Sequence, residues 1–362
     1  MSKPIPKAGI MDIDPYVGGL HTVDGVGEVV VLASNEGPLG ASPLAMEAYE
    51  REAHRLHLYP DGGAKELRAA IGQRFGLAPA RIVCGAGSDE IISLLIKAYA
   101  GVGDEVLYSA HGFLMYQINA KSAGATPVAA PETNLTANVD ALLDAVTHRT
   151  KMLFLANPNN PTGSYLPADE LRRLREGLPD HVLMVIDAAY AEYVSRNDYV
   201  SGAELVEKHD NVVMTRTFSK AFGLAAVRLG WAYCPAEVAD VLNRVRNPFN
   251  VTAPAQAAGI AAVSDLSHTD AAIAHNDEWL LKFTAELQNL GYEVAPSVGN
   301  FVLVRFDTPE TARSAYDYLL SQGVIGRMMG GYGLPESLRF TIGLESELKR
   351  VIDSLVAHRK SL

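Results

Sequence analysis

The chain has 362 residues, 48% of them apolar and 20% charged, with 31 Lys and Arg against 42 Asp and Glu for a net charge of −11. That length supports two domains and a sizeable core, and the acidity argues against general nucleic-acid or anionic-membrane binding, which want basic patches. The two cysteines, Cys84 and Cys234, sit in apolar runs and read as structural thiols in a reducing cytosol. Lys3 and Lys7 are followed by no apolar segment, so no signal peptide is expected, and no run approaches the roughly 18 apolar residues of a membrane span.

Residues 1–30, rich in Pro and Gly, read as an irregular arm. Val29-Val30-Val31-Leu32 is a short strand, followed by the loop Ser34-Asn35-Glu36-Gly37-Pro38. Helices are expected over 43–56 and, from the spacing of Leu67, Ala70, Ile71 and Phe75, over Ala64–Phe75, with the turn Tyr59-Pro60-Asp61-Gly62-Gly63 between them. Apolar runs then recur at Arg81–Cys84, Val106–Ser109, Met152–Ala156, Val182–Ile186, Val212–Thr215 and Leu229–Cys234. Helical or loop stretches such as 88–100, 113–123, 138–147 and 168–176 separate most of them. Continuous apolar runs imply strands buried on both faces, and strands interleaved with helices imply a doubly wound, mainly parallel sheet. After about residue 250 the rhythm changes. Helix over 254–289, strand Phe301–Phe306, helix 311–321, strand Leu338–Ile342 and helix 345–359 read as a smaller α+β domain. The N-terminal strand is placed to pair with it. We therefore divide the chain into an arm and strand (1–40), a large domain (41–250) and a small domain (251–362).

The stretches with chemical content follow strand ends, the edge at which open α/β sheets bind ligands. Gly85-Ala86-Gly87-Ser88-Asp89-Glu90 opens a helix, whose N-terminus offers free N–H groups and partial positive charge. It lacks the P-loop lysine and the full GxGxxG spacing, so neither ATP nor a dinucleotide is indicated. Phe113 and Tyr116 offer aromatic faces, for stacking or for the core. Asn157-Pro158-Asn159-Asn160-Pro161-Thr162-Gly163 is an irregular loop whose asparagines can donate to an oxyanion. Asp187 ends the most apolar strand, with Tyr190 three residues on. A carboxylate there needs a partner, either a structural arginine or a protonated ring nitrogen. In Thr217-Phe218-Ser219-Lys220-Ala221-Phe222-Gly223, with Arg228 beyond, two hydroxyls and a cation suit a phosphate. A second cation beside Lys220 pushes its amine toward the neutral, nucleophilic form. Together these groups fit pyridoxal 5′-phosphate (PLP), with Lys220 forming the Schiff base.

From about residue 13 onward the chain resembles the fold-type I PLP-dependent aminotransferases (class I/II). The marks, in order, are the 157–163 loop, Asp187 with Tyr190, and Ser219-Lys220 with Arg228. Within that family it is most similar to the histidinol-phosphate subfamily, through Asp14-Pro15-Tyr16, Ser34-Asn35-Glu36, Tyr59-Pro60-Asp61, Gly87-Ser88-Asp89-Glu90 and Leu338-Arg339-Phe340-Thr341-Ile342-Gly343. The resemblance implies a seven-stranded, mainly parallel sheet flanked by helices in the large, PLP-binding domain. It implies transamination between L-histidinol phosphate and 2-oxoglutarate, in histidine biosynthesis. An aromatic amino-acid aminotransferase, acting on phenylalanine or tyrosine, is the alternative. Lys220, Asp187 and Tyr190 are implied to be catalytic. Asp187 would meet the pyridine nitrogen, Tyr190 and Asn160 the phenolic oxygen, and Phe113 the ring face. The phosphate would lie against Gly87, Ser88, Asp89, Thr217, Ser219 and Arg228, with Tyr59 reaching it from the second subunit of a cytoplasmic homodimer. Tyr16, Asn35, Arg327 and Arg339 are implied on the substrate side, and no metal is expected. Two departures stand out: Asn35-Glu36-Gly37-Pro38 replaces the usual Asn-Glu-Asn-Pro, and Ser109-Ala110-His111-Gly112 precedes the stacking aromatic where Pro-Thr is commoner.

Overall fold

The computed structural model describes residues 4–16 and 18–361. Residues 1–3, Val17 and Leu362, and with them Lys3 and parts of the expected arm, lie outside the described residues. The arm carries a 3-10 turn over Ile10–Asp12 and leads to β1 (Val30–Val31), α1 (Pro43–Glu52) and α2 (Lys65–Phe75). The alternating series follows: β2 (Ile82–Gly85), α3 (Ser88–Tyr99), β3 (Glu105–Ser109), α4 (Met115–Ala123), β4 (Thr126–Ala130), the hairpin β5 (Glu132–Thr133) and β6 (Thr136–Ala137), and α5 (Val139–Asp144). It continues through β7 (Thr150–Ala156), α6 (Ala168–Gly177), β8 (Leu183–Asp187), α7 (Ala203–Lys208), β9 (Val212–Thr217), β10 (Gly230–Tyr233) and α8 (Ala236–Val245). The remainder is α9 (Ala253–Ser264), α10 (Leu266–Asn289), β11 (Glu293–Val294), β12 (Phe301–Arg305), α11 (Pro309–Ser321), β13 (Val324–Ile325), β14 (Arg327–Met329), β15 (Leu334–Thr341) and α12 (Glu345–Ser361).

Seven strands form one sheet in the order β2-β10-β9-β8-β7-β3-β4. Only β10 runs against its neighbours. The apolar runs serve two cores because successive side chains point to opposite faces. Leu107, Leu153, Met184, Ile186, Met214 and Trp231 fill one. Val106, Met152, Phe154, Val185, Val213 and Ala232 fill the other. The sequence reading lacks one strand of the seven, Thr126–Ala130. It pairs on one side only, contains Pro127 and is largely not buried, as an edge strand can be.

The second layer is a four-stranded antiparallel sheet, β11-β12-β15-β14. Phe283, Leu287, Val302, Val304, Leu319, Phe340 and Leu355 make its core, drawn from α10, α11, α12 and the sheet. The N-terminal strand joins this layer as expected: β1 pairs parallel with β13, Val30 opposite Val324, and Val30 and Leu32 belong to the same core. One boundary moves. Ala255, Ala258, Ala262 and Val263 of α9 pack in the large layer's core with Leu67 and Phe218. We therefore place the change of layer at Asp265, not at residue 250. The apolar, Ala-rich face of α9 is what α1 and α2 need to cover them.

The turn after Lys220 depends on one glycine. Gly223 has φ +67, and a Cβ there would collide with the carbonyl oxygen of Gly40. Gly223→Ala should therefore destabilise the protein by about 2 kcal/mol or more. A urea unfolding series would read this as a lower midpoint at unchanged slope.

Candidate active site

The parallel register brings the strand ends to one edge. Ala156 lies opposite Asp187, and Asp187 opposite Thr215. A cavity of about 180 Å³ opens there between the two layers, larger than cavities known to hold a benzene ring. Of the residues singled out from sequence, Lys220, Asp187, Tyr190, Ser88, Asp89, Phe113, Asn160, Thr217, Ser219, Arg228, Tyr16, Asn35, Arg327 and Arg339 all line it.

Asp187 is 5% exposed, and its side-chain partners are hydroxyls. Tyr116 donates to Oδ2 at 2.8 Å and Thr215 to Oδ1 at 3.1 Å. The structural arginine weighed as its alternative partner is not what holds it. Burial pushes this carboxyl up to about 6, while both hydroxyls favour its charged form. A buried carboxylate held by neutral donors, on the wall of a cavity, is stabilised by a ligand that brings an N–H cation. Tyr116 stands in its turn between Phe154, stacked at 4.8 Å, and Phe113, edge-on at 5.9 Å. Tyr116 is thus the core aromatic and Phe113 the one left to face the cavity.

Lys220 donates to the carbonyl oxygen of Ser34 at 2.9 Å. Burial lowers its ammonium to about 8, helped next by the charge of Arg339. Arg228, the cation adjacent in sequence, contributes less than either, so the sequence argument reached the right direction through the lesser neighbour. Arg228 instead donates to Ser219 Oγ at 3.3 Å and pairs with Asp89 at 3.3 Å. It lies against Gly87, where a Cβ would run into its guanidinium. Gly87 is the N-cap of α3 and supplies no side-chain cap, so the helix N-terminus faces the cavity rim with its amides uncovered by a cap. Gly87 itself does not line the cavity; it lets Arg228 close on the helix. Arg228, Ser219, Thr217 and these amides together suit a phosphate.

The asparagine loop divides its labour. Asn157 exchanges hydrogen bonds with Leu166 at 2.7 and 3.1 Å, and Asn159 donates to Thr162 at 3.0 Å and to His111 O at 3.2 Å. Those two knit the loop, and Asn160 alone reaches the cavity. There its Oδ1 accepts from Arg339 Nη1. Arg339 Nη2 donates to Ala33 O at 2.7 Å, while its buried Nε has no partner among the described residues. An orphaned charged donor on a cavity wall fits an anionic ligand. Arg327 lies over the ring of Tyr16 at 5.7 Å. Asn35, placed on the substrate side by resemblance, directs its amide to the hydroxyl of Tyr190 at 2.9 Å.

Tyr59 does not reach this cavity. It is 83% exposed and stacks on Phe249 with centroids 4.6 Å apart. Residues the sequence reading missed are Tyr332, which lines the cavity from the second layer, and Thr215 and Tyr116 as the holders of Asp187. The glycines flanking Tyr332 were the available signal for a turn near a ligand.

The site and the fold define the class. A model of the family "Aminotransferase class I and II" matches residues 27–355, and the chain belongs to that family. More particularly, it is similar to the histidinol-phosphate aminotransferase of Paramagnetospirillum magneticum, 61% identical over 98% of both chains. It is also similar to that of Rhodospirillum centenum, 59% identical over the same shares. Among solved structures, the histidinol-phosphate aminotransferase of Sinorhizobium meliloti in complex with pyridoxal-5′-phosphate superposes with a TM-score of 0.86 at 26% identity, covering 92% of each chain.

The lowered ammonium of Lys220 is directly measurable. In the cofactor-free protein, acylation of Lys220 by a small amine-reactive reagent, followed by mass spectrometry, should rise with pH through a midpoint of about 8 and level off above it. A lysine at its ordinary 10.5 keeps gaining reactivity well beyond that.

Proposed function

We propose that the protein transfers an amino group between L-histidinol phosphate and 2-oxoglutarate, with PLP as cofactor, in the histidine pathway. The observation that carries this is the meeting, at one sheet edge, of a lysine near 8, a buried carboxylate held by hydroxyls and a phosphate cradle. The curated relatives at 51–61% identity over nearly the whole chain support the substrate.

Bound there, PLP supplies an electron sink for the charge that develops at the substrate's α-carbon. The protein's own groups do the rest. Asp187 would hold a proton on the ring nitrogen and so keep the ring cationic. Tyr190 and Asn160 would serve the ring oxygen, and Phe113 would serve as the stacking aromatic. Arg228, Ser219, Thr217 and the α3 amides would hold the phosphate. Lys220 Nζ removes the proton from the substrate Cα. Histidinol phosphate has no α-carboxylate, whereas glutamate has two carboxylates, so one pocket must take either phosphate or carboxylate. The planar fork of Arg339 matches both anions, and Arg327 beside Tyr16 adds the charge a dianionic phosphate wants. Four cations and two carboxylates on this wall also give an acidic protein a locally positive mouth, which draws anionic substrates.

We also propose that two copies form a homodimer in the cytoplasm, with Tyr59 reaching the neighbour's phosphate site. Leu44, Met46, Tyr49, Leu56, Leu58, Tyr59 and Phe249 are exposed apolar side chains from α1, the turn after it and the loop after α8. A second copy is a suitable cover for so much apolar surface. Among the described residues no helix is long and apolar enough to cross a membrane.

Mixing the PLP-loaded protein with single amines tests the substrate. Histidinol phosphate should convert the cofactor to its amine form with a higher kcat/KM than phenylalanine or tyrosine, and the reverse order would favour an aromatic amino-acid aminotransferase. Arg327→Ala should weaken histidinol phosphate by about tenfold or more, a charged hydrogen bond's worth, and glutamate much less. Equal losses for both substrates would remove Arg327 from phosphate recognition.

A further inference from the structure

We infer that Asn35 is a positioning residue for Tyr190: it aims the tyrosine's single O–H proton into the cavity. This rests on the functional reading above. The side-chain amide of Asn35 donates to Tyr190 Oη at 2.9 Å. An amide N–H can only donate, so the tyrosine oxygen accepts there with a lone pair. Its own hydrogen must point elsewhere. Tyr190 is 4% exposed, with its ring edge-on to Phe301 at 5.3 Å, so the ring has no freedom to turn away. The remaining open direction for that hydroxyl is the cavity it lines with Lys220 and Asp187.

The backbone of Asn35 is built for this task. Its φ is +56, a left-handed conformation that Asn tolerates better than most residues. Its N–H donates to Thr341 Oγ1 at 2.9 Å, and its carbonyl accepts from Asn300 Nδ2 at 3.1 Å. Thr341 Oγ1 in turn donates to Leu32 O at 2.9 Å. Asn35 itself is 1% exposed. Both backbone polar groups are therefore fixed by the second layer, and from there the side-chain amide reaches Tyr190. The preceding residue contributes in parallel, because the Ser34 carbonyl accepts from Lys220. A side chain placed merely to fill space would not need a left-handed backbone clamped on both sides.

A proton donor aimed at the ring oxygen of PLP favours the form of the cofactor with more negative charge on that oxygen, which is the deprotonated form. Asn35 should thus hold the pH midpoint of the bound cofactor's absorbance change low. Asn35→Gly keeps the left-handed backbone and removes the donor. Its midpoint should rise by about one pH unit relative to the parent, the scale of a partly lost hydrogen bond to a charged group. The same substitution in a Tyr190→Phe background should move the midpoint by much less. Equal shifts in the two backgrounds would overturn the assignment, since the effect would then not pass through Tyr190. Should Asn35→Gly fail to fold, Asn35→Asp has the same size and tolerates the same backbone. Its carboxylate accepts from Tyr190 and turns the proton away, so its shift should again be larger with Tyr190 present than with Phe, and equality would again overturn the proposal. If the parent protein develops no visible absorbance with PLP, the functional reading itself fails, and this assignment with it.

Discussion

The parallel register of β7, β8 and β9 is the constraint on which everything else rests. It sets Ala156, Asp187 and Thr215 side by side, so the segments that leave those strands begin at one height. Asn160, Tyr190 and Lys220 each lie within a few residues of such an end. Loops that short cannot carry them far, and the three side chains converge without any long-range search. The two apolar faces of the sheet keep the register from slipping, because a one-residue slide would drive each core side chain to the wrong layer.

Burial supplies the chemistry that geometry alone does not. Burial in the same cavity wall raises Asp187 to about 6 and lowers Lys220 to about 8. Two groups that would be fully charged at neutral pH in water are thus moved toward neutrality from opposite directions. The hydroxyls of Tyr116 and Thr215 keep Asp187 from drifting further. Arg339 acts at a second place as well, since its charge assists the lowering of Lys220 while its fork holds Asn160 Oδ1 and the Ala33 carbonyl.

Much of this was legible in the sequence because the informative residues are local. Continuous apolar runs announce β2, β3, β7, β8, β9 and β10, and the residues just past their ends carry the site. What was not legible depends on contacts between distant segments. Tyr116 reads as one more core aromatic until its hydroxyl is seen on Asp187, 71 residues away. Asn35 and Tyr190 are 155 residues apart. The edge strand β4, with its proline and partial exposure, gives no apolar run to read. The break after residue 250 is a change of sequence rhythm, whereas the change of packing waits for Asp265, because α9 answers to α1 and α2. Asn157 and Asn159 look like Asn160 in the sequence and differ only in which way the loop turns them.

The pairing of β1 with β13 ties Val30 to Val324 across nearly the whole polypeptide. During synthesis the segment from Val30 to Asn35 leaves the ribosome long before its partners, Val324, Arg339 and Thr341. The large layer can gather its strands while the chain is still growing, but the placement of Ser34 as acceptor for Lys220 and the clamp on Asn35 wait for those partners to be made. A nascent chain halted before Val324 would therefore hold a folded sheet with its lysine exposed and its cavity open on one side.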